Sequence, residues 1–138
     1  MITPLSCALP NRRAGGPKGS GDEHIEILPG TMLHRICGVR DYSEQYYCNY
    51  GVNEGYEQQF TAGGLRISAR GMRGETRAVE LPGHRFFIAT LLQPQLSSRP
   101  EKPHPFVIAF LRAALRFKNE RDQRRGAKSR GRKTLERR

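Results

Sequence analysis

The feature that most restricts what this chain can fold into is Phe86-Phe87-Ile88-Ala89-Thr90, an unbroken apolar run of strand length. Alternation would mark a strand with one wet face. A continuous run predicts instead a central strand buried on both faces, with parallel neighbours. Such a strand needs apolar partners, and only part of the chain can supply them. Apolar residues make up 36% of the 138, and the mean hydropathy is −0.67. The net charge of +11 is unevenly spread. From Arg116 to Arg138 eleven basic residues stand against three acidic ones, a net +8, which leaves +3 for Met1 to Leu115. One near-neutral domain with a basic tail is the organisation this implies.

Local signals divide the chain further. Residues 1–9 are short and apolar, interrupted by Pro4, and read as one buried strand or the remnant of something longer. Residues 10–22, rich in Gly, Pro and basic side chains, read as a mobile loop. His24 to Leu28 alternates as a strand does and stops at Pro29-Gly30. Thr31 can cap a short helix through Leu33 and Ile36, closed by Gly38. Tyr42 to Tyr50 is aromatic and strand-like. Asn53 can cap a second short helix through Tyr56 and Phe60, ended by Gly63-Gly64. Leu65, Ile67 and Ala69 predict a buried face, and Arg66, Ser68 and Arg70 a wet one. Met72-Arg73-Gly74 turns the chain back into Thr76–Leu81 as an antiparallel hairpin. Pro105 opens a helix on which Phe106, Ile108, Leu111 and Leu115 recur at helical spacing. After Phe117 the only large aliphatic residue is Leu135, so the tail reads as disordered or as a frayed extension of that helix.

Cys7, Cys37 and Cys48 are an odd number at irregular spacing, which disfavours a disulfide framework and points to a reducing compartment. No apolar run approaches the roughly 18 residues needed to span a bilayer. The start MITPLSCALP lacks a basic region followed by an apolar one, so it is not read as a secretion signal. A cytoplasmic location is the expectation.

The order of pieces in VELPGHRFFIATLLQPQLSSRPEKPHPFVIAFLRAA, from Val79 to Ala114, resembles the end of a class I glutamine amidotransferase domain of the CTP synthase kind. Further matches lie upstream: Glu26-Ile27-Leu28-Pro29-Gly30-Thr31, Ile36-Cys37-Gly38, Tyr50-Gly51-Val52-Asn53, Gly63–Ser68 and Arg77–Leu81. The resemblance implies the C-terminal portion of a three-layer α/β amidotransferase fold, with an antiparallel hairpin and a final helix. The expected divisions are an apolar segment and loop (1–24), a partial amidotransferase domain (25–117) and a basic tail (118–138).

The resemblance also says where chemistry should stand. In that family the strand delivers Phe-His-Pro-Glu-Phe: the His is the base for a Cys nucleophile and the Glu orients the His. Here the run is Leu92-Gln93-Pro94-Gln95-Leu96, with Gln93 and Gln95 at the two working positions. A glutamine amide has no proton to exchange near neutrality, so the catalytic pair is degenerate. An arginine that helps hold the glutamine substrate is replaced by Asn49, beside Tyr50. Neither a Gly-x-Cys-x-Gly elbow nor a P-loop occurs in these 138 residues.

Other candidates have bland readings. Cys7 lacks the glycines of an elbow and reads as a buried thiol. His34, Cys37 and Cys48 do not have zinc spacing, so no metal and no cofactor are expected. His84 and His104 flank the apolar strand and the last helix, and His104 fits turn formation. Tyr42, Tyr46, Tyr47 and Tyr50, with Asn49, fit aromatic packing over a hairpin better than a pocket. Gln93 and Gln95 either keep affinity for an amide or nucleotide without turnover or record drift, and the residues leave both open. The reading is an amidotransferase-like chain without glutamine hydrolysis of its own, partnered by a complementing N-terminal half-domain or by itself. The alternative, from a different class, is an accessory protein that binds nucleic acid through its basic tail.

Overall fold

Five strands form one antiparallel sheet because the turns between them are built by residues suited to the task. The computed structural model describes residues 1–4, 20–47 and 50–135. Its elements are β1 (Ile2–Pro4), β2 (Ser20–Ile27), α1 (Met32–Cys37), β3 (Asp41–Tyr47), β4 (Tyr50–Val52), a 3-10 turn (Glu54–Tyr56), α2 (Glu57–Ala62), β5 (Arg66–Gly71), β6 (Thr76–Glu80), β7 (Ile88–Thr90), α3 (Pro94–Ser97) and α4 (Pro105–Leu135). The larger sheet runs β3-β2-β5-β6-β7, and β1 pairs with β4 in a separate two-stranded sheet. Among the described residues every strand pair is antiparallel. The hairpin between β5 and β6 closes through Gly74, whose φ of 88° lies in the left-handed region that favours glycine.

The five-stranded sheet curls. Its outer strands β3 and β7 lie at opposite edges, yet just beyond β7 Leu92 bridges to Tyr46 of β3 and the Gln93 amide donates to the Gln45 carbonyl at 2.9 Å. That closure brings the β7–α3 turn onto β3. One cluster of buried side chains fills the space under α1 and the start of α4: Ile25 and Ile27 of β2, Leu33 of α1, Ala69, Ala78, Leu92 and Phe106. Each fully buried Ile or Leu there contributes about 1.5–3 kcal/mol of transfer free energy.

Helix α1 is too short to persist alone and is held at its first turn. Thr31 accepts from the His34 amide at 3.0 Å, while its own hydroxyl donates to the Leu28 carbonyl at 2.6 Å. The buried Glu80 carboxylate accepts from the Met32 and Leu33 amides at 2.6 and 3.2 Å. Placing a carboxylate on otherwise unpaired helix N–H groups also complements the helix dipole. Gly38 closes the helix with φ 73°. Asn53 accepts from the Gly55 amide and starts the 3-10 turn that leads into α2, as its position suggests.

Four expectations are corrected. Phe86–Thr90 is not a doubly buried central strand: only Ile88–Thr90 is extended, and β7 is an edge strand paired to β6 alone. Phe86 leaves the strand to pack edge-on against Phe110 of α4, at 5.6 Å between centroids, and Phe87 is largely exposed. A short apolar run carries no record of whether strand or helix will cover it. Residues 2–4 do form a strand, but Ile2 is exposed rather than buried. The wet face expected of β5 is broken at Ser68, which is fully buried, because register shifts between Ile67 and Arg70 bulge the strand. On α4, Phe106 and Ala113 face the core while Leu111 and Leu115 lie exposed. Helix α4 runs through Leu135.

Candidate functional site

Closure of the sheet builds one polar, buried junction. Strand β3 directs Tyr42 and Glu44 toward the loop that precedes α4, and α3 adds Ser97 from the other side. Glu44 and His104 are each about 4% exposed. His104 Nε2 meets Glu44 Oε2 at 2.6 Å, Ser97 Oγ donates to the same oxygen at 3.0 Å, and the Gln45 amide donates to Oε1 at 2.8 Å. The other ring nitrogen is also taken, since His104 Nδ1 accepts from the Phe106 amide at 3.1 Å. This network assigns the imidazole proton to Nε2, facing the carboxylate.

His104 therefore does what its place before a helix suggests, and more. Its side chain accepts from the second residue of α4, as an N-cap does, and its ring anchors that helix to β3. Tyr42 stands edge-on to it, its hydroxyl 3.1 Å from Nε2. Burial pushes the Tyr42 hydroxyl up to about 12, with the nearby Cys37 and Glu44 adding to the rise. The Cys37 thiol is likewise pushed up to about 11, first by burial and then by Glu44. A thiol held protonated at neutral pH is a poor nucleophile, and a histidine with both nitrogens engaged has none free to act as a base. A cysteine, a histidine and a carboxylate thus sit in one neighbourhood.

The Gln93 and Gln95 positions adjoin this junction at the start of α3. Gln95 Nε2 donates to Gln93 Oε1, a single hydrogen bond that joins the two amides. Gln93 is half-buried and Gln95 exposed. Tyr50 lies in β4, in the two-stranded sheet, and is also exposed. Asn49 falls outside the described residues, as do Cys7 and Cys48. Tyr46 lines a separate cavity of about 230 Å³ with Glu23, Arg73 and Arg77, so Tyr42 and Tyr46 serve different surroundings. Among the described residues no group of three or more His, Cys, Asp or Glu could hold a metal ion. Also among them, no helix is long and apolar enough to cross a membrane.

Two further ion networks brace the hairpin. Arg70 binds Glu57 of α2 through both oxygens, at 3.0 and 2.9 Å, and Thr76 donates to the same carboxylate. The Arg70 hydrogen bonds hold the Glu57 carboxyl below its ordinary range. The buried Arg77 pairs with Glu23 and, at 2.9 Å, with Glu75, while burial raises the Glu23 carboxyl. Sequence reasoning did not single out Glu44, Glu80 or Arg77. Each meets its partner across dozens of residues, and no local pattern signals such a pair.

No protein-family model matches the chain. Curated proteins do. The CTP synthase of Pyrobaculum aerophilum is 41% identical over 104 residues, which is 73% of this chain and 19% of that protein. The CTP synthase of Archaeoglobus fulgidus is 35% identical over 124 residues, 86% of this chain and 23% of that protein. Among solved structures, the glutaminase domain of Trypanosoma brucei CTPS with bound acivicin matches with a TM-score of 0.72 at 26% identity. That match covers 83% of this chain and 46% of the solved one. The chain spans about a fifth of the length of the curated relatives it matches.

Proposed function

The chain is a relative of the CTP synthases and carries the fold of the C-terminal part of their glutaminase domain, and from that premise we propose that it is an amidotransferase-like protein that does not itself hydrolyse glutamine. The observation that supports this reading is the state of Gln93 and Gln95. At the two positions matched to the family's base and its orienting carboxylate, the side chains are amides bonded to each other. Neither can take a proton from a thiol near neutrality. Of the described cysteines, Cys37 keeps its proton well above neutral pH. The 138 residues contain no nucleophile elbow.

What remains is a platform for binding rather than turnover. The working unit would be residues 25–117, acting in the cytoplasm in a process tied to CTP formation, with residues 118–138 outside it. A complementing N-terminal half-domain, in the same polypeptide or a separate one, is the partner this reading calls for; the chain covers 46% of the solved glutaminase-domain chain. The exposed Leu111, Leu115 and Phe117 of α4 provide apolar surface for it. The test is glutamate and ammonia release from glutamine by the purified chain. The expected result is no release above a protein-free control. Release that disappears when one cysteine is substituted would overturn the reading.

A further inference from the structure

We infer that the cleft between α1 and α4 is a binding site for a nucleotide, with its phosphates held by arginines and its base lying on an apolar floor. The cleft has a volume of about 540 Å³, within the roughly 300–1,000 Å³ usual for small-molecule sites. Four arginines from three separate elements line it: Arg35 of α1, Arg85 of the β6–β7 loop, and Arg112 and Arg116 of α4. Between them lie Met32, Ile36, Phe86 and Ile108, which make the floor apolar and present one aromatic ring.

The charge balance there differs from that on the sheet. On the sheet, Arg40 pairs with Glu26, Arg70 with Glu57, and Arg77 with Glu23 and Glu75, while the Arg99 side chain in the loop before α4 donates only to the Leu96 and Ser98 carbonyls. At the cleft a single described carboxylate, Glu120, is engaged, and it is committed to Arg85 through both oxygens at 3.0 and 2.8 Å. Arg85 also lies over the Phe117 ring at 5.0 Å, so it is held in place at the cleft wall. Arg35 donates only to the Gly30 carbonyl. Arg112 and Arg116, one helical turn apart, make no ion pair with a described residue, and like charges at that spacing destabilise a helix. An anion bridging them relieves the repulsion and accepts bidentate hydrogen bonds of the charge-assisted kind. A bare phosphate uses the arginines alone. An aromatic body beside the phosphates also uses Phe86 and the aliphatic floor, which makes a nucleotide the better fit.

The site is separate from the Gln93–Gln95 turn, so it stands or falls independently of the glutaminase reading. Isothermal titration of the full chain at low salt, with ATP, inorganic tripolyphosphate and adenosine as probes, tests it. ATP should bind more tightly than tripolyphosphate, and adenosine most weakly. Arg112→Ala and Arg116→Ala should each weaken ATP about tenfold, the worth of one charged hydrogen-bonding contact, with unchanged circular dichroism. Arg40→Ala should have no effect. Equal affinity for ATP and tripolyphosphate would overturn the nucleotide assignment. So would ATP binding that survives Arg112→Ala and Arg116→Ala but is lost on Gln substitution of Arg121, Arg124 and Arg125, because the anion would then belong to the tail, as nucleic-acid binding requires.

Discussion

The two halves of the Pro105–Phe117 stretch of helix α4 obey different rules. At its start, Phe106 is buried in the core cluster, and the residue before the helix, His104, is locked between Glu44 and the Phe106 amide. A few turns on, Phe110, Leu111, Leu115 and Phe117 are half or more exposed, and the polar positions among them are arginines. The first half is stabilised by contacts this chain supplies itself. The second offers apolar surface and cationic groups to something outside the described residues. The same helical periodicity runs through both, so a regular apolar spacing is no guarantee of burial. What decides burial is whether another element lies opposite, and α1 is the element that packs against α4.

The sharpest way to break this contrast is at its anchored end. Glu44→Ala removes the carboxylate that the His104 imidazole, the Ser97 hydroxyl and the Gln45 amide all bond. Removing the acceptor of a buried hydrogen bond typically costs about 1–3 kcal/mol. Chemical denaturation should show a loss of that size, with Glu44→Gln recovering part of it because an amide oxygen still accepts from His104. A loss below about 1 kcal/mol would mean that the junction does not anchor the helix.

Truncations along α4 sharpen the same comparison. Phe106→Ala should cost about 3–5 kcal/mol, as core aromatic truncations do. Leu115→Ser, at an exposed position, should change stability by no more than about 0.5 kcal/mol. Equal costs at the two positions would show that the second half of that stretch is covered as well.

The smallest expected effect is a pH dependence of the junction. Cys37 and Tyr42 both have folded values raised above their unfolded ones, to about 11 and about 12 from 9.0 and 10.0. The folded state therefore holds these protons more tightly. That contribution is fully present below about pH 9 and is lost as pH rises through about 11 to 12. Stability measured against pH should decline over this alkaline window, and Tyr42→Phe should flatten the decline. An unchanged profile in that variant would remove Tyr42 as a cause.

Much of the local architecture was legible because it depends on neighbours in the chain. Thr31 and Gly38 bracket α1, Asn53 starts the 3-10 turn, Gly74 turns the hairpin and Pro105 opens α4, as their positions imply. The resemblance at Leu92-Gln93-Pro94-Gln95-Leu96 led to the correct fold and to relatives among the CTP synthases. The four-arginine cleft was not legible, because Arg35, Arg85, Arg112 and Arg116 are scattered over some eighty positions.

By itself, then, the sequence determined the elements, their caps, the family likeness and the replacement of two working side chains by amides, since all of these reside in adjacent residues or in ordered motifs. Tertiary structure alone decided that β7 is an edge strand and that Ser68 turns inward. It also decided that Glu44 and His104 share a buried hydrogen bond and that four arginines line one cleft. Burial and charge pairing depend on which distant residues the folded sheet brings within a few ångströms, and a one-dimensional pattern does not contain that distance.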